Sequence, residues 1–376
     1  MDPRIPVKST KVPIQPRYIP QDPSEVQNIA STIRVVRTSD QTKYLASKIP
    51  KVVVKELDGT VGKTLLADVI LPVAAVPISL ILNHPNIISL VDIVRNSNFE
   101  GSVSETGPYG DITVWEDMDA GSLSYLLPSA STYPAFHDEV TWHALASQNY
   151  HRPALPEGLC WHVLRSIARA LLWLHHGVKE TIGIPGDFQK HDDDWHAILI
   201  MDVSPGQIWF KRPVGEETYG ECKLGGFQWA KVTGAVGGNL AIEQRVESAP
   251  IAKQYFFPPE VYKNTHSHSR SSEIWQLGAT IYTMMTGIPP PRLYEYSWQI
   301  SRMNDGGYSQ ELRDIIGDMI KTHPADRPTA IALLNRADDQ WKKWRATSKE
   351  GAQVVDVLDR VIEMKALGIS HGGLAL

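Results

Sequence analysis

Cysteine is nearly missing from this chain. Cys160 and Cys222 are the two present in 376 residues, too few for a disulfide framework, and that scarcity points to a reducing intracellular setting, cytoplasmic or nuclear. Long apolar runs are missing too. The most hydrophobic stretch, residues 69–82, is too short to span a bilayer and contains Pro72 and Pro77, so it is expected in a core, and no membrane partner is expected. The opening "MDPRIPVKSTKVPIQPRYIPQDP" lacks an apolar h-region, which argues against a signal peptide. Nor is there a strong charge of one sign. A formal net charge of −5 gives no support to nucleic-acid binding driven by bulk charge. No internal repeat is visible.

What is present is enough apolar material for a sizeable core: 42% of residues are hydrophobic, and the length fits two or three compact units or one large two-lobed domain. Residues 1–28, rich in Pro and polar groups, are expected to be an extended arm. "TIRVVRT" and "KYLAS" flank the turn-like "SDQT" and suggest a hairpin, and "KVVVKEL" (51–57) follows as a β-branched strand. "DITVWEDMDAGSLSYLLP" reads as a strand, a short linker and a helix start. Residues 129–156 are polar and irregular, an inserted loop. The strongest helix signal is "LPEGLCWHVLRSIARALLWLHHG", where Trp161, Leu164, Ala168, Leu171 and Leu174 form a stripe with Arg165 and Arg169 off it, and Gly177 closes it. A second insert, 178–197, is acidic and carries "HDDDWH". "AILIMDVSPGQIWFK" reads as strand, turn, strand. "SEIWQLGATIYTMMTG" is apolar on most of its circumference and is expected to be deeply buried. "SQELRDIIGDMI" and "TAIALLNRADDQWKKW" are amphipathic. Residues 346–376 have Val354, Val357, Leu358, Val361 and Ile362 at helical spacing, an amphipathic helix that packs back or docks a partner. The order is strand-rich first and helix-rich after, hence α+β.

Several short patterns invite sharper readings that their context does not support. "VVVKELDGTVGKT" has Leu57 where a phosphate-binding loop needs its first glycine, so it is a turn after a strand. "HDDDWH", and likewise His266 and His268 in "NTHSHSR", have neither a Cys nor a helical His pair and are expected to be solvated rather than metal ligands. The short basic stretches "KKWR" and "KRP" are solvated faces.

In order, however, the pieces resemble the eukaryotic protein-kinase family over residues 33–344. "VVVK", ending at Lys55, looks like the third-strand lysine motif, "HPNIISL" like the stretch before the fourth strand, and "VWEDM" (114–118) like the hinge with Trp115 as gatekeeper. "IMDVSPGQIWF" is similar to the catalytic loop, "KLGGFQWA" to the metal-binding turn, "FFPPEVY" to the end of the activation segment and "HPADRPTA" to the closing arginine motif. The resemblance implies a two-lobed fold: a β-rich lobe over 29–117, a helical lobe over 118–345 and a tail from 346. It also implies a buried Glu260–Arg327 pair, fold-supporting roles for Phe227, Pro259, Trp275, Gly278 and Pro328, and nucleotide contacts from Lys55, Glu116 and Met118. A bulky Trp115 would narrow the adenine pocket.

Catalytic positions depart from the family where structural ones do not. The glutamate that should hold Lys55 falls at Ala75, and the prolines around it disfavour a continuous helix; Asp68 and Glu56 are not at family spacing. Residues 33–47 contain no glycine for a phosphate loop. Asp202 holds the catalytic-base position, but the family histidine is Ile200, the loop lysine Ser204 and the metal-ligating asparagine Gln207. Gly226 stands where an aspartate would hold Mg²⁺, followed by Phe227 and Gln228. Lys253 replaces a threonine that contacts the base, and Glu273 an aspartate that holds the loop backbone. Phosphoryl transfer depends on positioning and electrostatics, and losing one preorganised element costs about two to three orders of magnitude in rate. The resemblance therefore implies a pseudokinase acting as a scaffold or allosteric module, with no certain cofactor beyond ATP without Mg²⁺. A divergent active Ser/Thr kinase, resting on Lys55 and Asp202, is the alternative, and a tether built on the arm and tail is a third. The degenerate motifs and long inserts resemble the divergent kinase-like proteins of filamentous fungi.

Overall fold

The computed structural model describes residues 17–22, 32–48, 54–55, 61–62, 82–94, 112–133, 155–181, 187–227, 230–236, 251–263, 268–290, 302–304 and 306–359. The chain divides into two compact units, residues 1–49 with 90–117, and residues 50–89 with 118–376.

The first unit is a single antiparallel sheet. β1 (Tyr18–Pro20), β2 (Ile33–Arg37) and β3 (Lys43–Lys48) are followed, beyond β4 (Val54–Lys55) and β5 (Val61–Gly62) of a separate ladder, by β6 (Leu90–Val94) and β7 (Ile112–Glu116). The sheet order is β1-β2-β3-β7-β6. Alternate residues along each strand share a face, so Ile33, Val35, Tyr44, Ala46, Ile112 and Val114 gather with Tyr18 and Val94 into one buried cluster. The two edge strands are joined by side chains: Tyr18 Oη donates to Asp92 Oδ2 at 3.1 Å, and Arg17 Nη1 lies 3.1 Å from the same oxygen. Side chains thus link the two ends of the sheet. Residues 18–20 of the arm are thus a strand rather than a tether, and Pro20 is tolerated because β1 is an edge. The rest of residues 1–28 lies outside the described residues, except 17, 21 and 22.

The expected hairpin over "SDQT" forms, with β2 and β3 paired Val36 to Lys43. Without glycine, the turn places Gln41 at φ 59°. Asp40 accepts the Thr42 N–H at 3.1 Å and ion-pairs with Arg37, so the turn satisfies its own groups.

The second unit carries the helices. α1 (Glu157–His176) is the longest, ended by Gly177 in the left-handed region. α2 (Ile251–Gln254) and α3 (Pro259–Tyr262) are short. α4 (Arg270–Thr286) opens with a capping box between Ser269 and Ser272. α5 (Gln310–Met319) and α6 (Ala330–Thr347) are capped by Ser309 and Thr329, and α7 (Lys349–Gln353) by Ser348. Gly278 lets α4 approach α5 closely, since a Cβ there would stand 2.7 Å from Met319 Cβ. Short ladders support these helices: β8 (Gly121–Ser122), β9 (Val178–Glu180) with β10 (Phe188–Lys190), β11 (His196–Leu199) with β14 (Lys231–Val236), and β12 (Ile208–Phe210) between β8 and β13 (Cys222–Leu224). The second insert is thus partly ordered by the β9–β10 hairpin, while the first, beyond Tyr133, lies outside the described residues up to Leu155.

Three readings change. Arg165 and Arg169, placed off the apolar stripe of α1, are buried. Arg165 reaches Asp338, Asp356 and Asp359 at 2.8, 2.7 and 2.7 Å, and Arg169 reaches Glu180 and Asp338, so helical periodicity missed them because their partners are remote in sequence. His268, expected in solvent, is fully buried with its ring edge against Phe257; His266 lies outside the described residues. The tail is not one helix, since α7 ends where Val354 turns extended. Asp356 then bridges to Tyr219, because its buried carboxylate is taken by Arg165 and His162. Residues 360–376 lie outside the described residues. No described helix is long and apolar enough to cross a membrane. Both cysteines are buried free thiols.

Candidate functional site

The loop from Ile200 to Gln207 owes its position to α4. Met201 sits at φ 60°, a conformation costly for a side-chain-bearing residue, and its N–H is taken by Glu273 Oε1 at 2.7 Å. Gln276 accepts from the Val203 N–H at 3.2 Å and donates to the Met201 carbonyl at 3.4 Å. Thr280 donates to the Val203 carbonyl at 2.8 Å. Glu273 is held from behind by His175 of α1, 2.7 Å from its second oxygen. The extra methylene of Glu273 therefore still reaches the loop backbone.

Asp202, presented by this loop, is buried. Its Oδ2 accepts from Gln207 Nε2 at 3.3 Å and lies 3.6 Å from Lys253 Nζ of α2. Its Oδ1 is buried with no hydrogen-bond partner among the described residues. A buried carboxylate needs compensation, and here a lysine side chain supplies it.

The turn that follows β13 is brought to this loop by the β12–β13 ladder, which pairs Ile208 with Leu224. The Gly225 N–H donates to the Gln207 carbonyl at 2.8 Å. Gly226 adopts φ +83°, and a Cβ there would stand 2.5 Å from Gln207 Oε1 and 2.7 Å from its Cδ. The Gln207 side chain thus fills the space into which residue 226 would project. Phe227 is fully buried, and Gln228 lies outside the described residues. Mg²⁺ takes hard oxygen ligands, carboxylates above all. Gly226 offers no side-chain oxygen, and Gln207 offers one neutral amide oxygen where a hard cation wants carboxylate, so the donors at these two positions do not fit that ion. Among the described residues, no cluster of three His, Cys, Asp or Glu is arranged for a metal.

The remaining site residues stand as follows. β7 is hydrogen-bonded to β6 on one edge and to β3 on the other, with Leu45 opposite Trp115, Ser47 opposite Thr113 and Lys48 opposite Ile112. Lys55 instead pairs with Val61 in the β4–β5 ladder. Lys55, read as the third-strand lysine, thus lies in a separate two-stranded ladder, whereas the third strand of the five-stranded sheet is β3, ending at Lys48. Trp115 is buried, and its Nε1 donates to Thr113 at 2.8 Å and Ser47 at 3.1 Å. Glu116 ends β7 opposite Tyr44, and Met118 is buried, its carbonyl accepting the Gly121 N–H at 2.9 Å. Ala75, Asp68 and Glu56 lie outside the described residues. The chain has no glycine before Gly59, so no glycine-rich loop precedes β3 in any register.

Away from the site, Glu260 and Arg327 form a buried bidentate pair at 2.6 and 2.8 Å, and Arg327 also donates to the Lys321, Thr322 and Ser271 carbonyls.

A β-sheet unit, a helical unit and a loop-and-turn pair in this order define a two-lobed α+β fold of the protein-kinase type. No protein-family model matches the chain. It is 31% identical over 132 residues, 32% of its length, to the mitogen-activated protein kinase kinase kinase YODA of Arabidopsis thaliana. It is 21% identical over 278 residues, 68% of its length, to the serine/threonine-protein kinase apg-1 of Neurospora crassa. It is 35% identical over 143 residues, 36% of its length, to the inactive serine/threonine-protein kinase PLK5 of Mus musculus. These matches cover 14%, 26% and 22% of the relatives' own lengths, so the chain spans about a quarter or less of each. The chain is thus similar, at modest identity, to serine/threonine protein kinases and has a kinase-like fold.

Proposed function

We infer that this kinase-like chain is a pseudokinase, a binding or allosteric module for a protein partner, in which any nucleotide contact is weak and independent of Mg²⁺. One observation carries the reading: the position that should present a metal-binding carboxylate is Gly226, and the amide of Gln207 fills the adjoining space. Two more support it. Asp202 is ion-paired with Lys253, which opposes its use as a base, and the mouse relative is itself named inactive. Fold alone carries no activity.

A divergent Ser/Thr kinase is the second reading. It is favoured by the retention of Asp202 on a loop held by Glu273, Gln276 and Thr280. Thermal unfolding with ATP, with and without Mg²⁺, separates the two, because a ligand of the native state raises the midpoint by mass action. The pseudokinase reading expects a small rise or none, the same in EDTA as in MgCl₂. A Mg²⁺-dependent rise accompanied by phosphotransfer that Asp202→Asn abolishes would establish the second reading instead.

A further inference from the structure

Gln207 works in two directions at once. Its Nε2 donates to Asp202 Oδ2 at 3.3 Å, and its Oε1 end lies against Gly226, where a Cβ would approach to 2.5 Å. Lys253 Nζ completes the group, 3.6 Å from the same Asp202 oxygen. The three side chains come from the loop and from α2, and with the Gly226 turn they close on one another. The substitutions at 207, 226 and 253 are therefore one arrangement rather than three independent losses. A glutamine long enough to lie beside residue 226 requires that residue to have no side chain. A buried Asp202 requires compensation of its charge, and Lys253 supplies it from α2 while the loop itself carries Ser204.

We propose that the Gln207–Asp202–Lys253 bridge is an internal replacement for a bound divalent cation, and that residue 226 must lack a side chain because Gln207 occupies its side-chain space. The proposal rests on the pseudokinase reading and deepens it by stating what fills the site. It follows that restoring an acid at 226 does not by itself restore a metal site, because the new carboxylate meets Gln207. Shortening residue 207 must accompany it.

The test has two arms, both in the full chain. In the first, Gly226→Ala, Gln207→Ala and the double variant are compared by urea denaturation. The conformational penalty of an alanine at φ +83° is common to both backgrounds and cancels. The expected result is a coupling of about tenfold in the unfolding equilibrium constant, Gly226→Ala being less harmful once Gln207 is truncated; strictly additive losses would overturn the proposal. In the second, bound Mn²⁺, a hard-ligand probe, is counted by its EPR signal in wild type, Gly226→Asp and Gly226→Asp/Gln207→Asn. The double variant should gain one bound ion over wild type and the single variant none. Equal counts in wild type and double variant, or a full gain in Gly226→Asp alone, would refute the bridge. Phosphotransfer by the wild type would defeat the pseudokinase reading, while the first arm would still decide the coupling by itself.

Discussion

Glu273 and Met201 are joined by a 2.7 Å hydrogen bond from the Met201 N–H to Oε1, and that bond stabilises a backbone at φ 60°. The second oxygen of Glu273 meets His175 Nε2 at 2.7 Å. The kinase family has an aspartate at this position, yet Glu273→Asp should damage this protein. One methylene shorter, the carboxylate cannot serve both partners, and a buried donor left unpaired costs about 1–3 kcal/mol. Urea unfolding should show a loss of about 2 kcal/mol, with faster amide exchange across residues 201–203. An unchanged midpoint would mean that another group holds the loop.

Asp356 should be as important to folding as any residue near the site. Burial pushes its carboxyl upward, but His162 and Arg165 outweigh burial and hold it well below the usual carboxylate range. The same segment bonds to the β12–β13 connection, where the Thr218 N–H reaches the Val355 carbonyl at 2.9 Å and the Val355 N–H reaches Thr218 Oγ1 at 2.9 Å. Breaking one side of a buried ion pair costs about 3–5 kcal/mol. Asp356→Ala, or truncation after Gln353, should lose that much and loosen residues 211–221 in hydrogen exchange. A near-neutral truncation would show that the strap is dispensable.

These two cases mark what sequence could and could not disclose. The helices were legible because apolar spacing is local, as is the glycine that ends α1, Gly177. The loop and turn were legible because each is a short linear run around Asp202 and Phe227. The pairing of Arg165 was not legible because its partners Asp338 and Asp356 are 173 and 191 residues away, and nothing local distinguishes a paired arginine from a solvated one. His268 was misjudged for the converse reason, since its polar neighbours in sequence are not its neighbours in space. The strand carrying Lys55 was misplaced because β-branched residues suit any strand, whereas pairing is decided by which edges remain free. The fit of Gln207 against Gly226 depends on side-chain reach, which spacing does not encode.

Acid should destabilise the fold in a window set by buried histidine. Burial drives His268 from the ordinary 6.5 down to about 3, aided by the nearby Lys253 charge; burial and neighbouring cations do the same to His84, also to about 3. Each folded value lies below the unfolded one, so protons bind the unfolded chain more tightly. Stability is then complete above about pH 6.5 and falls as pH drops toward 3. His268→Phe, which keeps the ring against Phe257, should flatten part of that decline in denaturant titrations between pH 7 and pH 4. A variant that tracks wild type throughout would remove His268 from the account.

The placement of the lysines yields a last discriminating experiment. Leu45, Ala46, Ser47 and Lys48 end the strand that is hydrogen-bonded to β7, with Lys48 opposite Ile112, whereas Lys55 belongs to the β4–β5 ladder. A lysine that neutralises phosphates in a kinase-like unit works from the strand beside the hinge. Under the pseudokinase reading, any metal-free ATP contact should therefore depend on Lys48. In thermal unfolding with ATP and EDTA, Lys48→Ala should abolish whatever rise the wild type shows and Lys55→Ala should leave it intact. The reverse pattern would return the role to Lys55. A rise undiminished in both variants would place the nucleotide contact on neither lysine, leaving the hinge residues Glu116 and Met118 to be substituted next.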